Sequence, residues 1–148
     1  MLQYVWRHTW GVMFGIVHGD FHTQNVMLQY GEVVLIDMAD VSLGAPLIDL
    51  GISYFLFVDG VKSRPWDVER FLGISPEQAL RIWDIMLRTY YETDDEAVLK
   101  EQEEQIRLFF LFKVALNPAI WPNASAQAVE AFVNTARDRL FPLLEKNY

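Results

Sequence analysis

Between Ile16 and Ile36 the chain carries three short apolar runs, Ile16-Val17, Val26-Met27-Leu28 and Val33-Val34-Leu35-Ile36, each too brief for a helix. Their β-branched residues favour strands, and Tyr30-Gly31-Glu32 stands between the second and third where a hairpin turn belongs. After Asp40 the spacing changes. Gly44-Ala45-Pro46 reads as a turn, and Leu47 to Val58, apolar nearly all round, fits a buried helix. Ser75 is placed to cap a helix that Pro76 opens, with Leu80, Trp83, Leu87 and Tyr90 at three- and four-residue spacing. Another helix is expected from about Asp94 to Leu116, ending before Asn117-Pro118 because Pro118 lacks an amide proton. A last one is expected from about Ser125 to Lys146, with Val129, Phe132, Val133, Ala136 and Leu140 on one face and a bend at Pro142. The pattern is that of an α+β, mostly α-helical chain with a small antiparallel β-hairpin beside a polar loop.

A length of 148 residues, 52% hydrophobic and 14% aromatic, fits one domain with a real core. Residues 1–14 are aromatic-rich, and Val5, Trp6, Trp10, Met13 and Phe14 suit one helical face interrupted by Gly11. That segment opens without a cap and reads as the end of a longer element. Residues 15–40 then form the loop and hairpin, and residues 44–148 a helical subdomain. Twelve basic against twenty acidic residues give a net charge of -8, which argues against nucleic acid as a partner and makes a cationic substrate easier to hold. With no cysteine there is no disulfide or thiolate site, and without a secretory signal the expected location is cytoplasmic. Trp10 to Val17 and Leu108 to Leu116 fall short of the roughly 20 residues that span a membrane, and Lys113 interrupts the second. Asn123-Ala124-Ser125 matches a glycosylation acceptor, which without a secretory route is read as chance.

The polar loop reads His18-Gly19-Asp20-Phe21-His22-Thr23-Gln24-Asn25, and Asp37 and Asp40 follow the hairpin. Asp20 suits the removal of a proton from a hydroxyl whose oxygen attacks phosphorus. Asn25 and Asp37 supply the oxygen ligands that hard Mg²⁺ prefers, and the metal then bridges nucleotide phosphates. Two other readings compete. His18-x-Asp20-x-His22 would put three donors on one face of an extended strand, as in a Zn²⁺ hydrolase, although Gly19 argues against a regular strand and Asn25 and Asp37 are left unexplained. Alternatively, all these polar residues cap and brace loops.

On His18-Gly19-Asp20-x-x-x-x-Asn25 with Ile36-Asp37, the chain resembles the aminoglycoside phosphotransferase and choline kinase-like family, relatives of the protein kinases. Protein kinases share the Asp-to-Asn interval of five and a metal-binding Asp downstream. Gly19 stands where they have Arg, which points to the small-molecule branch. His22 falls where the family often has His, and Pro46-x-x-Asp49-Leu50 is similar to its Pro-x-x-Asp-Leu segment, while Thr23-Gln24 and Met38-Ala39 depart from the commoner residues. The match is specific over residues 15–52. The resemblance implies the C-terminal lobe of a protein kinase-like fold that moves the γ-phosphate of ATP or GTP to a small-molecule hydroxyl with Mg²⁺. It makes Asp20 the base and Asn25 and Asp37 the metal and nucleotide ligands, with His18, His22 and Asp49 supporting the loop, Asp49 from the start of a helix. Such enzymes hold polyamine sugars with acidic groups of the helical lobe. Asp94, Asp95, Glu101 and Glu104 are candidates, within a stretch of seven acids and one Lys from Glu92 to Glu104 whose plainer meaning is a solvated helix face.

Kinase-type enzymes clamp the nucleotide between two lobes, the smaller carrying a phosphate-covering loop, a Lys and its Glu partner. The seventeen residues before His18 contain no Gly-rich loop, and Lys62, Lys100, Lys113 and Lys146 all follow the motif. The expectation is a helical lobe alone, either a fragment of a longer protein or a shortened gene product, with a catalytically incomplete lobe as the alternative to an active enzyme. Its exposed apolar surface, with Trp6, Trp10 and Phe14, would be buried by self-association into a homo-oligomer.

Overall fold

Among the described residues four short strands pair two by two, and the rest of the backbone is mostly helical. The computed structural model describes residues 15–147 except 64 and 121–124. The helical face read in Val5, Trp6, Trp10, Met13 and Phe14, the association surface of Trp6, Trp10 and Phe14, and the Asn123-Ala124 part of the glycosylation triplet lie outside the described residues.

Strands β1 (Gly15–Val17), β2 (Val26–Gln29), β3 (Glu32–Leu35) and β4 (Ser42–Gly44) form these pairs. β2 and β3 run antiparallel from Val26 opposite Leu35 to Gln29 opposite Glu32. The turn is therefore only Tyr30-Gly31, one residue shorter than expected, with φ of 54° and 85°. A two-residue primed turn needs positive φ at both positions, which Gly31 adopts without steric cost. The second pair joins β1 to β4, with Gly15 opposite Gly44, Ile16 opposite Leu43 and Val17 opposite Ser42. Gly44 is thus a strand residue, and the β1–β4 clasp encloses residues 18–41.

The chain divides into two compact units, Met1–Asp94 and Asp95–Tyr148. In the first, α1 (Leu47–Tyr54) runs through a π-helical turn at Phe55–Asp59 into α2 (Gly60–Ser63), past the expected end at Val58. Helix α3 (Pro65–Leu72) begins at Pro65, and α4 spans Pro76–Tyr91. Ser75 Oγ accepts from the Gln78 amide at 3.2 Å while Gln78 Oε1 accepts from the Ser75 amide at 2.8 Å, a full capping box with proline at the first position. The Ser75 hydroxyl also donates to Glu77, and that bond, reinforced by the backbone amide of Glu77, holds its carboxyl below the usual range. The buried row of α4 is Ala79, Trp83 and Leu87; Leu80, expected there, is 41% exposed and Tyr90 50%. Trp83 meets Tyr54 edge-on at 5.7 Å, and the i±4 row through that contact takes in Ala79 in place of Leu80. Val17, Leu50, Tyr54, Phe57, Val58 and Leu72 are buried with them.

In the second unit, α5 (Glu96–Ile120) packs on α6 (Ala126–Thr135) and on a π-helical turn at Ala136–Leu140 that leads into α7 (Phe141–Asn147). Leu99, Ile106, Leu111 and Leu140 are buried. Asp95 Oδ1 caps α5, accepting from the amides of Ala97 at 2.9 Å and Val98 at 3.4 Å. Contrary to the expected stop, α5 passes Pro118 and ends at Ile120. A proline that close to the end forfeits one donor of a long helix, a loss that the rest of the element outweighs. Where a bend is expected at Pro142, the structure has a π-helical turn at Ala136–Leu140, just before Phe141-Pro142. No helix among the described residues is long and apolar enough to cross a membrane.

Candidate active site

Buried Val17 ends β1 and delivers His18 into the interior, 5% exposed. Its ring is fixed on both sides: Nε2 lies 2.8 Å from the Ile36 carbonyl, and Nδ1 accepts from the Asp20 amide at 3.3 Å. Because a carbonyl only accepts and an amide only donates, these partners select the neutral ring with its proton on Nε2. Asp49, in the first turn of α1, accepts from the backbone amides of His18 and Gly19, each at 2.8 Å. The carboxylate thus serves the loop's amides, where a helix-start carboxylate ordinarily serves its own helix. Gly19 has φ of 87°, and a Cβ there would lie 2.7 Å from the Asp40 carbonyl oxygen and 2.8 Å from the Asp40 Cβ. Both the backbone conformation and the close approach demand glycine.

The next turn gathers Asp20, His22 and Asn25. His22 caps a 3₁₀ turn at Thr23–Asn25, its Nδ1 accepting from the Gln24 amide at 3.2 Å. Its Nε2 then carries the proton and faces both Asp20 Oδ2, at 3.3 Å, and the Asn25 side-chain nitrogen, at 3.2 Å; of the two, only the carboxylate accepts. Asn25 is buried, and its side-chain nitrogen donates to the Asp20 carbonyl at 2.9 Å and to Asp20 Oδ2 at 3.3 Å. Two oxygens facing that nitrogen fix the amide orientation. Asn25 Oδ1 and Asp20 Oδ1 accept from no protein donor among the described residues. The half-exposed carboxylate of Asp20 is held by one oxygen and open at the other.

Ile36 links this turn to Asp37. Its amide donates to the Asn25 carbonyl at 3.0 Å, and its own carbonyl takes the His18 proton, so the peptide before Asp37 is pinned on both sides. Asp37 adopts φ 57° and ψ 60°, a left-handed conformation uncommon outside glycine, and its carboxylate makes no cap hydrogen bond. The exposed carboxylates of Asp37 and Asp40 have no partner among the described residues.

Contacts that sequence reasoning missed come from the helices. Ser53 Oγ, on α1, donates to the Phe21 carbonyl at 3.4 Å. The Gln24 side-chain amide donates to the Phe71 carbonyl at the end of α3, and the Phe71 ring lies 5.8 Å from that of His22. Gln24 and Phe71 are 47 positions apart, and the acceptor is a backbone group that every residue has, so no residue pattern announces the contact.

The zinc arrangement is not found. Both His18 nitrogens are committed to backbone partners, and among the described residues no three His, Cys, Asp or Glu side chains are grouped to hold a metal. His18, Asp20 and His22 sit on a turn and a 3₁₀ element, so they do not share the face of a strand. Of the acidic candidates, Asp95 caps α5 and Asp94 lies 3.5 Å from Arg88, which also holds Asp84 at 2.9 Å. Glu101 and Glu104 are exposed on α5.

The sequence model of the Phosphotransferase enzyme family matches residues 3–104. No curated protein and no solved structure matches the chain.

Proposed function

The chain belongs to the phosphotransferase enzyme family, and from that membership we propose that it moves the γ-phosphate of ATP or GTP to a hydroxyl of a small molecule. In this reading the hairpin and helices are the C-terminal lobe of a protein kinase-like fold. The observation that carries it is the two-sided state of Asp20. Oδ2 receives Asn25 and His22, which fixes the carboxylate, and Oδ1 faces no protein donor among the described residues. A base for phosphoryl transfer needs that arrangement, since it must hold the acceptor hydroxyl in line and take its proton as the new O–P bond forms.

Asn25 Oδ1 and the Asp37 carboxylate are oxygen donors without protein partners among the described residues, so they fit a hard cation that keeps water and phosphate oxygens as its other ligands. When bound, Mg²⁺ would supply charge neutralisation at the phosphates. Asn25 spends its nitrogen on Asp20 and offers its oxygen to the metal, which couples base and ligand through one side chain. His18 and Asp49 act on the backbone, holding the loop in shape, and His22 orients Asp20.

Calorimetric titration with Mg·ATP and Mg·GTP tests this. Saturable micromolar binding that weakens at least ten-fold in Asp37→Asn is the expected result. Wild-type protein with no saturable binding of either nucleotide would overturn it and leave a catalytically incomplete lobe.

A further inference from the structure

The first unit contains a second feature, lined by residues outside the loop that carries Asp20. A pocket of about 450 Å³ opens between the π turn after α1 and helix α3. Phe55 and Leu56 wall one side, Val68, Phe71 and Leu72 the other, and Arg70 is the charged residue at its edge among the described residues. A Cβ on Gly60 would lie 3.1 Å from Val68 Cγ2 and 3.2 Å from the Phe55 carbonyl, so α2 and α3 stand as close as a glycine allows at the base of the pocket. The volume is in the range of small-molecule sites, which are mostly apolar with a few polar groups that fix orientation. Single π turns inside α-helices recur at functional sites.

Two facts give the pocket a chemistry. Arg70, exposed in the last turn of α3, makes no hydrogen bond or ion pair among the described residues, so its guanidinium is open to an anion. Phe71 is shared with the candidate active site: its ring contacts His22, its carbonyl holds Gln24, and His22 Nε2 lies 3.3 Å from Asp20 Oδ2. Phe71 thus touches both the pocket and the His22 ring, whose Nε2 faces Asp20.

Resting on the phosphotransferase reading above, we propose that this pocket is the acceptor site and that the acceptor is a hydroxy acid with an aromatic or branched apolar body. The apolar body lies between the π turn and α3, the carboxylate pairs with Arg70, and the hydroxyl extends past Phe71 to Asp20 Oδ1. Its oxygen forms the bond to the γ-phosphorus, the bond from that phosphorus to the β,γ-bridging oxygen breaks, the nucleoside diphosphate leaves, and the hydroxyl proton passes to Asp20. The acceptor is thus anionic, in place of the cationic one that net charge alone suggests.

Calorimetric titration of the full chain with 4-hydroxyphenylacetate and with tyramine, its cationic counterpart, decides the matter. The expected result is saturable binding of the acid, at least five-fold weaker in Arg70→Gln, restored in Arg70→Lys and abolished by Leu56→Trp, with tyramine at least five-fold weaker than the acid. Equal or tighter binding of tyramine, or an Arg70→Gln change below five-fold, overturns the assignment. Asp20→Asn separates the two proposals. Unchanged binding of the acid in a protein that transfers no phosphate leaves the pocket standing and the enzyme reading fallen. Asp20-dependent transfer to another alcohol with no binding of the acid does the reverse.

Discussion

Asp49 Oδ2 stands 2.8 Å from the backbone nitrogen of His18, 31 positions away, and its other oxygen stands equally close to that of Gly19. One side chain thereby satisfies two consecutive amides that would otherwise face the interior. Asp49→Ala leaves both without an acceptor. Hydrogen bonds to a charged group contribute roughly 1.5–3 kcal/mol each, and the two share one partner, so a stability loss of about 3 kcal/mol is expected. Hydrogen exchange should accelerate at the His18 and Gly19 amides and not in β2–β3; a uniform change across the chain would count against a local brace.

Gly19 and Gly31 both have positive φ, yet their substitutions should differ. At Gly31 no atom lies within 4 Å of an added Cβ, so alanine meets only the backbone penalty of about 1 kcal/mol. At Gly19 the contact with Asp40 adds an overpacking cost, for roughly 2–4 kcal/mol in all. Urea unfolding of the two variants measures the difference, and equal losses would mean that Asp40 yields freely.

Asp20→Asn keeps the size of the side chain and removes the proton acceptor. Turnover should fall by roughly 10²–10⁴ while Mg·ATP affinity is retained, as expected for the loss of a general base. Steady-state kinetics beside nucleotide titration make the check. Near-normal turnover is incompatible with Asp20 as base.

Burial, and then the neighbouring Tyr90, raise the Tyr91 hydroxyl to about 12 from an ordinary value near 10. The folded state therefore holds the proton more tightly than the unfolded chain does. The resulting stability is fully present below pH about 10 and is lost as pH climbs toward 12. Denaturant midpoints should decline across that window in the wild type and less steeply in Tyr91→Phe. Parallel declines in the two proteins would show that other groups dominate.

The hairpin was legible because β-branched runs flank Tyr30-Gly31, and the start of α4 because Ser75, Pro76 and Gln78 are local signals. The spacing of Asp20, Asn25 and Asp37 marked them as candidates, and the structure brings Asp20 and Asn25 into hydrogen-bond contact. What was not legible is non-local or carried by the backbone. β4 is three residues, Ser42-Leu43-Gly44, with little strand propensity of their own, and exists because β1 pairs with it. The two π turns leave the apolar pattern nearly unchanged. The buried row of α4 runs through Ala79 because Trp83 meets Tyr54, a contact between separate helices that periodicity alone does not contain.

The β1–β4 clasp has a consequence for how the proposed activity would be distributed among molecules. Val17 and Ser42 tie off the segment that carries Asp20, Asn25 and Asp37 together, and Asp49 pins it from outside. Release of the clasp would loosen both ends of the segment that carries all three groups, so one opening would act on the whole proposed site. Destabilising changes in β1 or β4 would then lower the census of competent molecules and leave the turnover of each survivor unaltered.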